Sequence, residues 1–119
     1  MITPVPALGV LAASEIIRSG ATLIDVREPD EFEEVRAVGA KLVPLNQVPD
    51  HLSDWSAHRF VEGAAAASNP LYVICRSGAR SHAACEWLIS QGIDAVNISG
   101  GTLAWVAGKL DVEHGNSGF

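Results

Sequence analysis

The stretch that most limits what this chain can fold into runs Leu71-Tyr72-Val73-Ile74-Cys75-Arg76-Ser77-Gly78-Ala79-Arg80-Ser81. Four apolar, mostly β-favouring residues follow Asn69-Pro70 and read as a short buried strand. Cys75 stands where that strand stops. From Ala79 onward Ala83, Ala84, Trp87 and Leu88 recur at the spacing that lines apolar groups along one stripe of a helix. The loop between is therefore a strand-to-helix turn with a cysteine at its mouth. The first turn of a helix carries N–H groups without intrahelical partners, so its surroundings favour negative charge. Arg76 and Arg80 lie in the same loop, two of only eight Lys and Arg in the chain. An ordinary thiol has a pKa of about 8.5, and such surroundings lower it, so Cys75 is expected as a thiolate at neutral pH. A cysteine after an apolar strand is more often a small core residue. A core cysteine, however, has no use for two arginines, a glycine and two serines in the next six positions.

The rest of the chain alternates in the same way. Ala12 to Gly20 reads as a short helix with Gly20 as its stop. Thr22 to Val26 is a strand too continuously apolar for an edge, and Pro29 to Glu34 a short helix with proline early and acids in its first turn. Lys41 to Pro44 is a short strand, Leu45 to Trp55 is helical in part and broken at Pro49, and Arg59 to Ser68 is either helix or loop. A helix from about Ala79 to Gln91 stops at Gly92. A strand over 94–98 and a short helix over 102–106, anchored by Trp105, follow. Strands alternating with helices predict an α/β fold in three layers, a central mostly parallel sheet with helices on both faces. One domain is expected over 1–119, with an irregular arm over 1–8 that includes at most a short edge strand, and a flexible tail over 111–119.

Composition serves mainly to exclude. The formal charge is −6 and no basic run exists to follow a phosphate backbone, so no nucleic-acid partner is expected. No apolar run approaches the roughly 20 residues needed to cross a bilayer, so no membrane role is expected. The first positive residue is Arg18, which argues against a secretory signal and places the chain in a reducing cytoplasm. Two cysteines ten apart make no disulfide framework. Cys85 reads first as a small buried residue facing the sheet, and second as a resolving thiol for Cys75. His51 and His58 have no metal-ligand spacing and read as surface or packing residues, and His82 as close enough to modulate the loop. No metal or cofactor is called for.

Asp25 and Arg27 flank Val26 and so point the same way at a strand end. They form either a structural ion pair or a wall of the crevice where open α/β sheets bind ligands.

Three blocks in register resemble the rhodanese family: Leu23-Ile24-Asp25-Val26-Arg27-Glu28-Pro29-Asp30-Glu31-Phe32, the loop Cys75 to Ser81, and Gly100-Gly101-Thr102-Leu103-Ala104-Trp105-Val106-Ala107-Gly108. The resemblance covers roughly residues 9–112. It implies the same α/β architecture and a sulfurtransferase in which Cys75 takes sulfur from a small anionic donor such as thiosulfate, becomes a persulfide, and passes the sulfur to a thiol or protein acceptor. In that reading Arg76, Ser77, Gly78, Ala79, Arg80 and Ser81 form the substrate cradle. Arg80 holds the donor's sulfonate, Arg76 either shares that task or points out to guide anions, and Ser77 and Ser81 supply hydroxyls or cap the turn. The chain departs from the family where Val35-Arg36-Ala37-Val38 replaces the usual Gly-His-Ile-Pro. Two other readings stand beside this one. A persulfide relay or binding module would load from a protein partner and handle thiosulfate poorly. A cysteine phosphatase of related fold would have five residues between Cys and Arg, whereas Cys75 and Arg80 have four, a tighter loop with less room for phosphate.

Overall fold

The computed structural model of the chain describes residues 4–60 and 69–115. In chain order the elements are β1 (Ala7–Leu8), α1 (Val10–Arg18), β2 (Leu23–Asp25), α2 (Pro29–Glu34), β3 (Arg36–Ala37), β4 (Ala40–Leu42), a 3₁₀ segment (Leu45–His58), β5 (Leu71–Ile74), α3 (Ala79–Ser90), β6 (Ala95–Ile98), α4 (Gly101–Ala107) and β7 (Val112–Glu113). Five of the strands form one parallel sheet in the order β1-β6-β5-β2-β4, which puts β5 at its centre. This is the expected α/β architecture.

Alternation along β5 explains the layers. Leu71 and Val73 face one side, where Ala84, Cys85 and Leu88 of α3 and Val48 and Trp55 of the 3₁₀ segment pack on them. Tyr72 and Ile74 face the other, against Ala13 and Ile17 of α1 and Trp105 of α4. All four β5 residues are buried, as a strand covered on both faces requires. Leu88 has no exposed surface, and cutting it to Ala would cost about 2–5 kcal/mol through lost transfer energy and the cavity left behind.

The two ends of the chain pair with the rest. In the N-terminal arm the short edge strand that the sequence allows is β1, whose Ala7 and Leu8 pair with Asn97 and Ile98 at the sheet edge. The tail from residue 111 is not a loose end up to Gly115: Val112 and Glu113 pair antiparallel with Ala37 and Arg36. The cause is Arg36, the largest of the fully buried side chains. Its guanidinium lies 4.7 Å from the Phe32 ring centre, and its Nη1 donates to the carbonyls of Phe32 (3.1 Å) and Gly115. Nε faces Glu113 at 3.7 Å. A buried guanidinium demands acceptors, and the C-terminal segment supplies two of them. That is how the corner that departs from the family pattern is packed. Between Arg59 and Ser68, Arg59 bridges Ile93 and the expectation of helix or loop for 61–68 lies outside the described residues. No helix among the described residues is long and apolar enough to cross a membrane.

Candidate functional site

The loop after β5 closes round a sulfur. Gly78 takes φ +117°, a conformation that L side chains rarely adopt, and turns its N–H onto Cys75 Sγ at 3.1 Å before α3 begins. The Ser81 hydroxyl, buried one turn further on, lies 3.2 Å from the same sulfur. That hydroxyl is also within reach of the Gly78 carbonyl (3.2 Å) and of Asn97 Oδ1, and its single proton serves one acceptor at a time. So Ser81 both closes the first turn and faces the thiol.

Cys75 is buried, 1% exposed, at the floor of this cradle. Burial alone would push its pKa up. The Ser81 hydroxyl and the amides of Ser81, Gly78 and Ser77 outweigh that and hold the thiol below its ordinary value. These donors are backbone and hydroxyl groups of three residues of one short loop, Ser77, Gly78 and Ser81, as the strand-to-helix turn predicts.

The far side of the loop is held by α4. Thr102 donates to the Cys75 carbonyl from both its N–H (2.8 Å) and its hydroxyl (3.0 Å), and Leu103 N–H donates to the Arg76 carbonyl (3.1 Å). The fit requires glycine at 101, where a Cβ would lie 2.5 Å from the Arg76 carbonyl oxygen and 2.6 Å from that of Cys75. Asn97 in β6 completes the support by donating to the Gly78 carbonyl at 3.2 Å.

Arg80 is placed differently from expectation. Its guanidinium forms a two-pronged pair with Glu31 of α2, Nη1 to Oε1 at 2.7 Å and Nη2 to Oε2 at 2.8 Å. The fork expected to face a sulfonate already holds a carboxylate. Glu31 in turn is held down to about 2, first by its hydrogen bonds with Arg80, against partial burial and with help from the Glu28 N–H. Arg80 is pushed up by the same pairing, and it also feels the charges of Cys75 and Asp25.

Asp25 and Arg27 do form an ion pair, with Nη2 to Oδ2 at 2.7 Å and both groups buried. Arg27 also donates to the carbonyls of Val35 (2.7 Å) and Glu31 (3.3 Å), so the pair fastens α2 to the end of β2. It thereby sets where Glu31 stands. Arg27 also borders a groove of about 330 Å³ between α2 and α4, whose walls include Val35, Leu103, Val106, Glu34 and the exposed Arg76. Asp25 and Arg27 thus form the structural ion pair, and Arg27 alone of the two borders the groove.

Ser77 is exposed and Ala79 opens α3. His82 turns away, exposed and 3.7 Å from Glu86, because it lies on the outer face of α3. His58 is buried with Nδ1 on the Asn69 carbonyl, and His51 pairs with Asp54 and stacks on Trp55. Cys85 is wholly buried, and burial together with the charge at Cys75 pushes its thiol up to about 12. That is the chemistry of an inert packing residue. Sequence reasoning missed Asn97, Thr102 and the pairing of Glu31. A polar Asn inside the apolar run Ala95-Val96-Asn97-Ile98 was the one available signal for the first.

Comparison with known proteins agrees with this geometry. Residues 11–108 match the family described as Rhodanese-like domain. A protein named sulfurtransferase from Allochromatium vinosum is 33% identical over 91 residues, 76% of each chain. The thiosulfate sulfurtransferase GlpE of Pseudomonas fluorescens is 33% identical over 94 residues, 78% of this chain and 77% of that one. Among solved structures, a rhodanese-like domain protein from Staphylococcus aureus superposes with a TM-score of 0.70 at 27% identity, covering 84% of this chain and 90% of its own.

Proposed function

We propose that this chain, which belongs to the rhodanese-like domain family, is a sulfurtransferase that carries sulfane sulfur as a persulfide on Cys75. The observation that carries the reading is a buried thiol with the Gly78 N–H at 3.1 Å and the Ser81 hydroxyl at 3.2 Å from its sulfur, donors that hold it below its ordinary pKa despite burial. Such donors favour the thiolate needed for attack, and they stabilise the anionic persulfide that follows. The names of the relatives support the same reaction class. Cys75 thiolate attacks the outer sulfur of the donor, a new S–S bond forms, and the donor's remainder leaves with the electron pair of the broken bond. From thiosulfate the leaving group is sulfite. An acceptor thiolate, of a small molecule or a protein, then removes the sulfur and regenerates Cys75.

In this assignment Gly78, Ser81, Ser77 and Ala79 build the cradle, Arg76 meets reactants at its rim, and Asp25 and Arg27 brace its wall. Both cysteines are free thiols, which suits a reducing compartment such as the cytoplasm. Phosphatase chemistry is less well supported: the loop is short, and the arginine that would grip a phosphoryl group is bound to Glu31. Intact-mass measurement after incubation with thiosulfate or an organic persulfide is the test. One added sulfur, absent in Cys75→Ser and removed by cyanide or excess thiol, is the expected result. Faster turnover of an aryl phosphate than of any sulfur donor would replace this reading with the phosphatase one.

A further inference from the structure

The Arg80–Glu31 pair and the α2–α4 groove share Glu31, and the groove also takes Arg76 from the loop that follows Cys75, so together they bear on which donor the loop receives. A guanidinium binds oxyanions best through a two-pronged fork, and Glu31 already occupies that fork at 2.7 and 2.8 Å. A doubly charged donor must displace a carboxylate that is itself fastened, because Glu31 Oε1 accepts the Glu28 N–H (3.0 Å) and the Glu31 carbonyl accepts from Arg27. It must also approach a chain of net charge −6. The groove offers the opposite chemistry. Its volume of about 330 Å³ suits a small organic molecule. Leu103 and Val106 are 50% and 46% exposed there, with Val35 opposite. Besides Arg27 and Glu31, which are held in ion pairs, Arg76 and Glu34 add one charge of each sign, which suits a molecule that carries both ammonium and carboxylate groups.

Building on the persulfide reading of Cys75, we propose that Glu31 determines donor specificity: by holding Arg80 it disfavours thiosulfate and favours an organic persulfide, R–S–SH, whose carbon body lies in the α2–α4 groove. Cys75 thiolate attacks the terminal sulfur, the bond between Cys75 and that sulfur forms, and the bond between the two donor sulfurs breaks. R–S⁻ leaves and takes a proton from water, while Cys75 becomes Cys75–S–SH. The transferred sulfur keeps its oxidation level in moving from one thiol to another, so no outside oxidant or reductant enters.

The test compares thiosulfate with glutathione persulfide as donors for the full chain, reading both kcat/KM and the sulfur loaded on Cys75 by mass. The wild-type chain is expected to favour glutathione persulfide by about tenfold or more in kcat/KM. Glu31→Gln keeps an oxygen for the Glu28 N–H but releases Arg80 from its ion pair, and should raise kcat/KM for thiosulfate about tenfold, mainly through KM. A gain of function toward one donor is something that mere damage to α2 does not produce. Val106→Trp, which fills the groove, should collapse the same preference by the other route, raising KM for glutathione persulfide about fivefold. If both donors load Cys75 but Glu31→Gln leaves thiosulfate unimproved, or raises both donors alike, the role given to Glu31 is wrong while the sulfurtransferase reading survives. If neither donor loads Cys75, the underlying reading fails and this one with it.

Discussion

Cys75 and Cys85 are the same side chain, ten residues apart, buried to 1% and 0% exposure within one hydrophobic cluster. Their thiols are nonetheless driven in opposite directions, Cys75 below its ordinary value and Cys85 up to about 12. Burial penalises the thiolate at both positions. The difference lies in what the backbone presents to the sulfur. Cys75 sits at the start of a turn whose next amides have no helical partner, and the amides of Ser77, Gly78 and Ser81 and the Ser81 hydroxyl all face it. Cys85 sits in the second turn of α3, where backbone N–H groups are spent on the helix. What separates these two thiols is the direction of nearby donors and not exposure.

The largest test of that contrast is substitution. Cys75→Ser should lower sulfur loading by at least about 10³-fold, whereas Cys85→Ser should stay within about threefold of wild type, both read by intact mass and donor turnover. Equal losses would break the distinction.

Alkaline unfolding is the next largest. In the unfolded chain Cys85 ionises near pH 8.5–9, in the folded one at about 12, so the unfolded state binds fewer protons between those values. Folding stability must therefore fall as pH rises through that window, by up to about 4 kcal/mol at about 1.4 kcal/mol per pH unit. Urea titrations at a series of pH values should show this slope flattened in Cys85→Ala. Cys75 has the opposite linkage, adding stability above the unfolded thiol's pKa that is lost as pH falls through its own depressed value.

Removing one donor sharpens the comparison further. A hydrogen bond to a charged group contributes about 1.5–3 kcal/mol, so Ser81→Ala should shift the midpoint of Cys75 alkylation by iodoacetamide toward higher pH and slow it roughly tenfold at neutrality. An unmoved midpoint would mean that the amides alone hold the thiolate. The smallest effect is expected at the loop's outer edge. Glu31 titrates at about 2 instead of 4.5, so its pairing adds stability above pH 4.5 that is lost as pH falls toward 2. The pair is partly exposed, and solvent screening limits this to about 1 kcal/mol, seen as a shallower acid limb in Glu31→Gln.

Much of the architecture was legible because it is written in neighbouring residues. The apolar run 71–74 and the helical stripe after Ala79 are short-range patterns, and the elements lie within one or two residues of where those patterns put them. The turn at Gly78 follows from the same stretch. Legibility failed where one residue's role depends on a distant one. Arg80 read as a free anion hook because its partner, Glu31, lies 49 positions away in a segment that reads as a solvated acidic helix face. Arg36 read only as a departure from a pattern, and residues 111–115 as loose. Neither stretch reveals that the buried guanidinium and the C-terminal carbonyls satisfy each other. Asn97 was passed over because strand patterning speaks of faces and not of the loop a strand abuts.

The order of residues alone pointed to a buried strand ending in a cysteine, and to the turn that aims unpaired amides at it, since the apolar run, the turn and the helix start lie within a dozen positions. Only the folded structure decided what Arg80 holds and which segment caps the Arg36 corner. Charge pairing and desolvation are set by distances across the sheet, and those exist only once α2, α4 and the C-terminal segment have packed round it.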